Sequence, residues 1–224
     1  MAAFASGARL PAGGSARPGE PLAAARGRRT GLTHLLYLHG FRSSPQSFKA
    51  QRLLAWMAAH RPGVHWWCQQ LPPSPREALQ LMREGTAGWS AGESAVLGSS
   101  LGGFYATVMA EATGWPAVLM NPAVQPARDL AGYVGELTAF HAPEERFVFH
   151  AGYLDELRAL HPAAITRPER YFAIIAKGDE LLDWREMVAR YPGVNLRLLE
   201  GSDHALSDYD AHQPHILEFL NLCD

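Results

Sequence analysis

The chain has 224 residues, of which 47% are hydrophobic and 19% charged, so it is typical of a globular protein and not of a fibrous or wholly disordered one. Its net charge is −2, so no basic excess favours nucleic-acid binding. The two cysteines, Cys68 and Cys223, are too few for a disulfide framework or a zinc site. No apolar run approaches the roughly 18 residues that a membrane span needs.

Residues 1–31 differ in composition from the rest of the chain. Ala, Gly and Pro make up 18 of these 31 residues, and five Arg against one Glu give the segment a net charge of +4. Because it has almost no large apolar side chains, the segment cannot offset the entropy lost on ordering. We expect a disordered N-terminal extension or an over-long start, with a transit peptide as the alternative. The folded domain is expected over 32–224.

From Leu32 onward, short apolar runs alternate with helical patterns. The predicted strands are 35–38, 64–68, 95–97, 117–120, 171–176 and 196–199. Three predicted helices start at Ser44-Pro45, Ser74-Pro75 and Leu101, and two more cover 185–191 and 215–222. This alternation predicts an α/β fold, with a mainly parallel sheet of about six strands and helices on both faces. In such sheets the ligand site lies at the carboxyl ends of the strands.

One stretch, between Asn121 and Tyr171, interrupts the alternation. The apolar spacing there fits two helices, one through Leu130, Val134 and Leu137 and another through Leu154, Leu157 and Leu160. Because this insert, about 123–170, emerges at the strand ends, it is a candidate for a small helical lid. An ordinary crossover with extra helices is the alternative.

The third predicted strand is followed directly by Gly98-x-Ser100-x-Gly102. A serine nucleophile stands at the top of a sheet on a sharp strand-to-helix turn, the nucleophile elbow, where only small residues fit on either side. The helix N-terminus adds free N–H groups and the positive end of a dipole. The motif therefore predicts Ser100 as a nucleophile, and a plain Ser/Gly turn is the alternative.

The first predicted strand ends at His39-Gly40-Phe41. In this architecture that turn supplies the second backbone donor of an oxyanion hole, so we assign the two donors to the N–H groups of Phe41 and Leu101. Gly40 allows the backbone to bend. We interpret His39 as a structural residue of the loop, because it precedes Ser100 and the expected triad order is serine, acid, histidine.

Acidic residues and a histidine follow the last two predicted strands. Asp179 lies closest to a strand end, where a carboxylate would orient and charge-stabilise a histidine. Asp183 is its rival, and we interpret Asp183 as a helix N-cap and Glu180 as solvent-exposed. His204 follows the last strand, in the loop from which a general base would reach Ser100.

A second group of polar residues lies near the C-terminus: His212, His215, Asp208 and Asp210. No HExxH or CxxC spacing supports a metal site there, so we interpret the group as the polar start of the final helix. The chain also lacks a GxGxxG turn and a GxxxxGK[ST] loop, so no motif indicates nucleotide binding. The sequence predicts neither a metal nor a cofactor.

From about Leu32 to the C-terminus, the sequence resembles small α/β-hydrolase esterases of the YqiA type. The shared stretches are LLYLHGFRSSPQSFKA (35–50), QQLPPSP (69–75), VLGSSLGGFYAT (96–107), NPAVQP (121–126), GDELLDWRE (178–186) and EGSDHAL (200–206). The resemblance implies an α/β-hydrolase fold, a Ser100–Asp179–His204 triad, and hydrolysis of short acyl esters or acyl-CoA thioesters in the cytoplasm.

Other functions fit the same sequence. An amidase would use the same residues, whereas a non-catalytic ligand-binding α/β-hydrolase usually lacks a member of the triad. A protein-interaction module on the insert would need an exposed apolar patch within 127–170. The favoured partner is a small-molecule ester or thioester, with no nucleic acid and no membrane span; the sequence specifies no oligomeric state.

Overall fold

The computed structural model describes residues 31–140 and 142–223. The expected disordered extension, residues 1–31, lies outside them except for Gly31. The strands are β1 His34–Leu38, β2 His65–Trp67, β3 Ser94–Ser99, β4 Ala117–Met120, β5 Gly135–Thr138, β6 Arg146–Phe149, β7 Tyr171–Ala176 and β8 Asn195–Leu199. The helices are α1 Phe48–His60, α2 Pro75–Gly85, α3 Leu101–Thr113, α4 Pro126–Asp129, α5 Gly152–Leu160, α6 Trp184–Arg190 and α7 Gln213–Phe219. Among the described residues, no helix has the length and apolar character to cross a membrane.

Six strands form one sheet in the order β2-β1-β3-β4-β7-β8, and every neighbouring pair is parallel. β3 and β7 are buried along their whole length. Strands covered on both faces carry continuous rather than alternating apolar sequences, as these two do. The predicted parallel α/β sheet is confirmed, with element ends shifted by one to three residues.

Side chains of the strands alternate between two apolar cores. Leu36 and Leu38 of β1 pack in the core formed with α2, α3 and α5, whereas Leu35 and Tyr37 pack in the core formed with α1 and α7. Each of these four residues is at most 1% exposed. Burying such a side chain contributes about 1.5–3 kcal/mol, so helices on both faces stabilise the sheet that carries the site.

The first helix begins later than the sequence predicts. Ser44-Pro45 predicts a helix start, but Ser44 closes a turn instead: its carbonyl oxygen accepts from the Ser47 N–H at 3.0 Å and its Oγ from the Gln46 N–H at 3.1 Å. Helix α1 then begins at Phe48. Serine makes these local bonds in turns as well as at helix caps, so the same residues suit either structure.

The second helix begins where its capping sequence predicts. Helix α2 starts at Pro75, and the Ser74 Oγ accepts a hydrogen bond from the Glu77 N–H at 3.3 Å. Proline at the first helical position loses no hydrogen bond, because that N–H has no partner inside a helix. The N-cap bond and the proline together fix the end of the loop that precedes α2.

The insert is only partly helical, which corrects the expectation of a helical lid. It contains α4, two 3-10 turns and α5, but β5 and β6 pair as an antiparallel hairpin where a helix through Leu137 is predicted. Gly135 has a φ of 134°, which no α-helix contains. Phe149 of β6 is 1% exposed and packs against Phe41. Tertiary packing therefore outweighs the helical spacing of the apolar residues.

Candidate active site

The candidate site lies at a reversal of the strand order. After β1 the chain adds β2 on one side of it, whereas β3 lies on the other side. In open parallel sheets, ligands bind outside the carboxyl ends of the strands at such a reversal. The loop after β1, residues 39–43, and Ser100 after β3 both border the same cavity at this edge.

Two glycines allow the tight turn that carries Ser100. A Cβ on Gly98 would lie 2.0 Å from the carbonyl oxygen of Gly102, and a Cβ on Gly102 would lie 2.0 Å from the carbonyl oxygen of Leu38. Ser100 itself has a φ of 55° and a ψ of −121°, a strained conformation for a residue with a side chain. This geometry is typical of a nucleophile elbow between a strand and a helix.

Ser100, His204 and Asp179 form a continuous hydrogen-bonded chain. The Ser100 Oγ lies 2.9 Å from Nε2 of His204, and Nδ1 of His204 lies 2.8 Å from Oδ2 of Asp179. The Asp179 side chain is fully buried and the His204 side chain is 16% exposed. With a carboxylate on one nitrogen and a serine hydroxyl on the other, the imidazole is placed to accept the serine proton.

Backbone groups of its own loop fix the Asp179 carboxylate. Its Oδ1 accepts hydrogen bonds from the N–H groups of Leu181 at 2.9 Å and Leu182 at 2.8 Å, which leaves Oδ2 for His204. The preceding Gly178 is required by close packing, because a Cβ there would lie 2.1 Å from the carbonyl oxygen of Ser202. The carboxylate is therefore held in one orientation.

The other two acidic residues of this loop have different contacts. Asp183 is the N-cap of α6, and its Oδ1 accepts from the Arg185 N–H at 2.8 Å. Glu180 is exposed, as expected, but its Oε2 also accepts from the backbone N–H of His204 at 2.9 Å. The structure thus brings Asp179, rather than Asp183, against the imidazole of His204.

Asn121 joins two of the loops that form the site, although the sequence marks it only as the end of β4. It is fully buried and has a φ of 41°. Its Oδ1 accepts from the Ala176 N–H at 2.8 Å, and its Nδ2 donates to the carbonyl oxygens of Asp203 at 2.9 Å and His204 at 3.2 Å. Asn121 therefore connects the strand that leads to Asp179 with the loop that carries His204.

The loop after β1 passes close to Ser100. A Cβ on Gly40 would lie 3.3 Å from the Ser100 Cβ, and Phe41 lines the same cavity as Ser100. The Phe41 ring packs edge-on against Phe149 of the insert, with centroids 5.2 Å apart. Leu101 is the first residue of α3, and the first N–H groups of a helix have no intrahelical acceptor. The two expected donor residues thus lie on either side of Ser100.

His39 supports this loop and is 4% exposed. Its Nε2 lies 3.1 Å from the Leu71 nitrogen and its Nδ1 lies 3.0 Å from the Gly40 carbonyl oxygen. Because the Leu71 N–H can only donate, Nε2 is the acceptor, and a neutral ring protonated at Nδ1 satisfies both contacts. These bonds fit a structural role for His39.

A cavity of about 610 Å³ lies beside Ser100 and His204. Its walls come from the loop after β1, the first turn of α1, the insert and the loops after β7 and β8. Its charged side chains, besides His204, are Arg42, Lys49 and Asp129, and its apolar wall includes Phe41, Phe48, Leu130, Tyr133, Phe140 and Leu182. A second cavity of about 500 Å³ shares the loop 39–43 and includes Leu101. The space next to the serine can therefore take a small organic molecule.

Two of the four polar residues near the C-terminus bond to each other, and a third pairs with an arginine outside the group. Nε2 of His212 lies 3.0 Å from Oδ2 of Asp208, and Asp210 pairs with Arg52 at 3.2 Å. Within residues 31–140 and 142–223, no group of three or more His, Cys, Asp or Glu side chains is placed to hold a metal ion.

Residues 34–221 match the model of a family described as Uncharacterised protein family (UPF0227). The match covers the sheet, the insert and every residue of the candidate site. The chain belongs to this family. The UPF0227 family is that of the YqiA-type proteins, so the resemblance found in the sequence motifs is confirmed.

Solved structures of other proteins share the fold. Alpha/beta hydrolase domain-containing protein 10 from mouse is 16% identical, with a TM-score of 0.62 over 84% of this chain and 89% of that one. Est1E from Butyrivibrio proteoclasticus is 14% identical, with a TM-score of 0.59 over 85% and 89%. A structure of the metagenome-derived lipolytic enzymes LipS and LipT is 19% identical, with a TM-score of 0.61 over 85% and 94%. These structural neighbours show that the chain has the α/β-hydrolase fold.

Proposed function

We propose that this protein is a serine hydrolase that cleaves carboxylic esters through an acyl-enzyme. The observation that carries the proposal is the chain of hydrogen bonds from Ser100 through His204 to Asp179, with distances of 2.9 Å and 2.8 Å. Acyl transfer needs a nucleophile, a base within hydrogen-bond reach and a group that orients the base. These three residues supply those groups in the serine, acid, histidine order typical of the fold.

In the acylation step, the Ser100 Oγ attacks the ester carbonyl carbon while Nε2 of His204 accepts the serine proton. Asp179, hydrogen-bonded to Nδ1, keeps the imidazole in the right tautomer and stabilises the imidazolium. The N–H groups of Phe41 and Leu101 bind the oxyanion of the tetrahedral intermediate. His204 then protonates the alcohol oxygen, the carbon–oxygen bond breaks, and the alcohol leaves.

In the deacylation step, water replaces the alcohol. His204 removes a proton from the water, the resulting oxygen nucleophile attacks the acyl carbonyl, and a second tetrahedral intermediate forms in the same oxyanion hole. Its collapse returns the proton to Ser100 and releases the carboxylic acid. These steps use side-chain and backbone groups of the protein alone.

Several of the fold neighbours are enzymes of ester chemistry, which supports the proposal. Est1E was also solved with ferulic acid bound, LipS and LipT are called lipolytic, and another neighbour is an esterase from Pyrococcus furiosus. Thioesters, including acyl-CoA, are the second substrate class, because the same acyl-enzyme forms when a thiolate leaves. Amides are the third, and they have the poorest leaving group.

A binding function is the second candidate, because the insert carries exposed apolar residues. Tyr133, Val134, Phe140 and Val148 are 39–67% exposed, and a protein-interaction module would need such side chains to form a contiguous patch. Tyr133 and Phe140 also line the cavity beside Ser100. Substrate binding therefore accounts for two of the four without a protein partner.

The test is hydrolysis of a matched panel of esters, thioesters and amides by the purified protein. We expect ester turnover that falls at least about 10³-fold in Ser100→Ala. Ser43→Ala is the control, since Ser43 lines the same cavity and has no assigned part in catalysis. Faster turnover of thioesters or amides would reassign the substrate. Absence of turnover across the panel by folded protein would favour the binding function.

A further inference from the structure

We propose that the substrate carries a carboxylate and that the ammonium group of Lys49 binds it inside the cavity beside Ser100. The inference rests on the proposed ester hydrolysis and adds the charge of the substrate. It concerns a residue that has no part in the acyl-transfer steps.

Lys49 is placed to reach a bound ester. It lies in the first turn of α1 and lines the same cavity as Ser100 and His204. Its Nζ donates to the carbonyl oxygen of Ala205, the residue that follows His204. An ammonium group has three N–H donors, so this one bond leaves two for a ligand.

Within residues 31–140 and 142–223, Lys49 has no close counter-ion. Among the described residues, no carboxylate lies within ion-pair distance of its Nζ; Asp203 acts on it only electrostatically. The Asp203 carboxylate is itself engaged, with Oδ1 accepting from the Ser207 N–H at 2.9 Å and Oδ2 from the Ser207 hydroxyl at 2.5 Å. Burial lowers the pKa of Lys49 to about 8, against an opposing effect of Asp203. A desolvated cation of this kind is stabilised when an anion binds beside it.

The other charged side chains of the cavity already have partners. The Arg42 Nε donates to the Thr138 carbonyl oxygen at 2.7 Å, and its guanidinium lies 4.2 Å from the centre of the Phe140 ring. The Oδ1 of Asp129 accepts from the Arg128 Nε at 2.8 Å, whereas its buried Oδ2 has no hydrogen-bond partner among the described residues. Arg42 is thus anchored to the insert, although its guanidinium keeps further N–H donors, whereas Lys49 is bonded beside His204 and lies at the N-terminal, positive end of a 13-residue helix.

The carboxylate can belong to either half of the ester, and the two cases need different probes. Monomethyl succinate carries it on the acyl side, and its neutral counterpart is methyl butyrate. O-acetyl glycolate carries it on the alcohol side, and its neutral counterpart is ethyl acetate. In each pair a carboxylate replaces a methyl group, so the ratio of the two kcat/KM values reports charge recognition and cancels a general loss of activity.

The experiment measures both ratios for the wild type, Lys49→Met and Lys49→Arg. Lys177→Met is the matched control, because Lys177 is the other lysine of the chain, pairs with Glu200 at 2.7 Å and does not line the cavity. We expect the wild type and Lys177→Met to prefer the anionic ester of at least one pair. Lys49→Met should lower that preference about 10- to 100-fold, as for loss of a charged hydrogen bond, and Lys49→Arg should keep most of it.

The outcomes separate this inference from the function on which it rests. A preference that is unchanged in Lys49→Met, or a wild-type preference for the neutral ester in both pairs, overturns the role of Lys49 while ester hydrolysis stands. An equal loss of preference in Lys177→Met also overturns it, because the effect is then not local. If folded wild-type protein hydrolyses none of the four esters, the proposed function fails and the inference fails with it.

Discussion

The turn around Ser100 depends on two residues that have no side chain. The ideal Cβ positions of Gly98 and Gly102 each lie 2.0 Å from a backbone carbonyl oxygen, so neither site can accept even alanine without a backbone shift. Gly152 offers a contrast, because nothing lies within 4 Å of its ideal Cβ position. Close packing, rather than chain flexibility, explains the two glycines of the motif.

We therefore expect Gly98→Ala to lower the free energy of unfolding by more than about 4 kcal/mol or to prevent folding. Gly152→Ala, the control, should change it by less than about 1 kcal/mol. Urea denaturation followed by circular dichroism measures both. Equal stabilities of the two variants would show that the turn can relax and that the close contacts do not constrain it.

The two aspartates of the loop after β7 predict opposite mutational effects. Asp179 contacts His204 and is fully buried, whereas Asp183 caps α6 and its side chain is 49% exposed. Asp179→Asn should lower kcat by on the order of 10⁴, since the imidazole would take the wrong tautomer. Asp183→Ala should keep most of the activity and lose about 1 kcal/mol of stability. Measurements of ester turnover and of the thermal midpoint in both variants would show which aspartate is the triad acid. Loss of turnover in Asp183→Ala together with near-normal turnover in Asp179→Asn would assign that role to Asp183.

Between elements, Asn121 is the residue that connects the loops after β4, β7 and β8. Its amide makes three hydrogen bonds, to Ala176, Asp203 and His204, in a fully buried position. Loss of these bonds frees the His204 loop relative to Asp179 while the substrate cavity, which Asn121 does not line, keeps its shape. Asn121 is therefore a positioning residue.

Asn121→Ala should lower kcat about tenfold or more and change KM little, because a small displacement of a general base is costly. Ser94→Ala is the control: Ser94 is also fully buried, and its Oγ donates to the Ser90 carbonyl oxygen at 2.7 Å at the opposite end of β3. Both variants should lose about 1–3 kcal/mol of stability. If kcat is unchanged in Asn121→Ala while stability falls as in Ser94→Ala, the role of Asn121 is structural only.

The insert is tied to the loop after β1, and this tie bears on its proposed role as a lid. Arg42 donates to the Thr138 carbonyl oxygen at 2.7 Å, and the Phe140 N–H donates back to the Arg42 carbonyl oxygen at 2.9 Å. A hairpin that moved without the loop 39–43 would have to break these bonds. The hairpin and the loop that carries Phe41 should therefore move together.

Arg42→Ala should speed amide hydrogen exchange in both β5 and β6 and in the loop 39–43, measured by mass spectrometry. Arg146→Ala is the control within the same hairpin, since it removes only the exposed ion pair with Glu136 at 3.2 Å. Exchange that rises equally in both variants would indicate that Arg42 does not tie the insert to the loop.

The elements that the sequence predicts correctly are those with redundant local signals. Helix α2 has a serine cap, a proline and an apolar face, and each of these indicates the same start. The hairpin of β5 and β6 has conflicting signals, because its apolar spacing is helical while Gly135 and the contact of Phe149 with Phe41 require a strand. The spacing of apolar residues within one segment carries no information about a contact between segments more than 100 residues apart in the chain.

For the molecule as a whole, the alternation of strands and helices is enough to predict where the site lies. Ser100, Asp179 and His204 each follow a strand, and parallel strands bring their carboxyl ends to one edge. Asn121 also follows a strand but bonds only to backbone groups, and Lys49 lies inside a helix pattern. The sequence does not reveal the contacts of Asn121 and Lys49. Both side chains bond to backbone groups of the loop 203–205, which is distant from each of them in the chain.

The central claim is that Ser100 is a nucleophile activated by His204. The most direct test is labelling of the folded protein with a fluorophosphonate, followed by peptide mapping. One label per chain on Ser100, absent from Ser100→Ala and strongly slowed in His204→Ala, is the predicted result. A label on Ser43, Ser99 or Ser202, or no label on folded protein, would contradict the account.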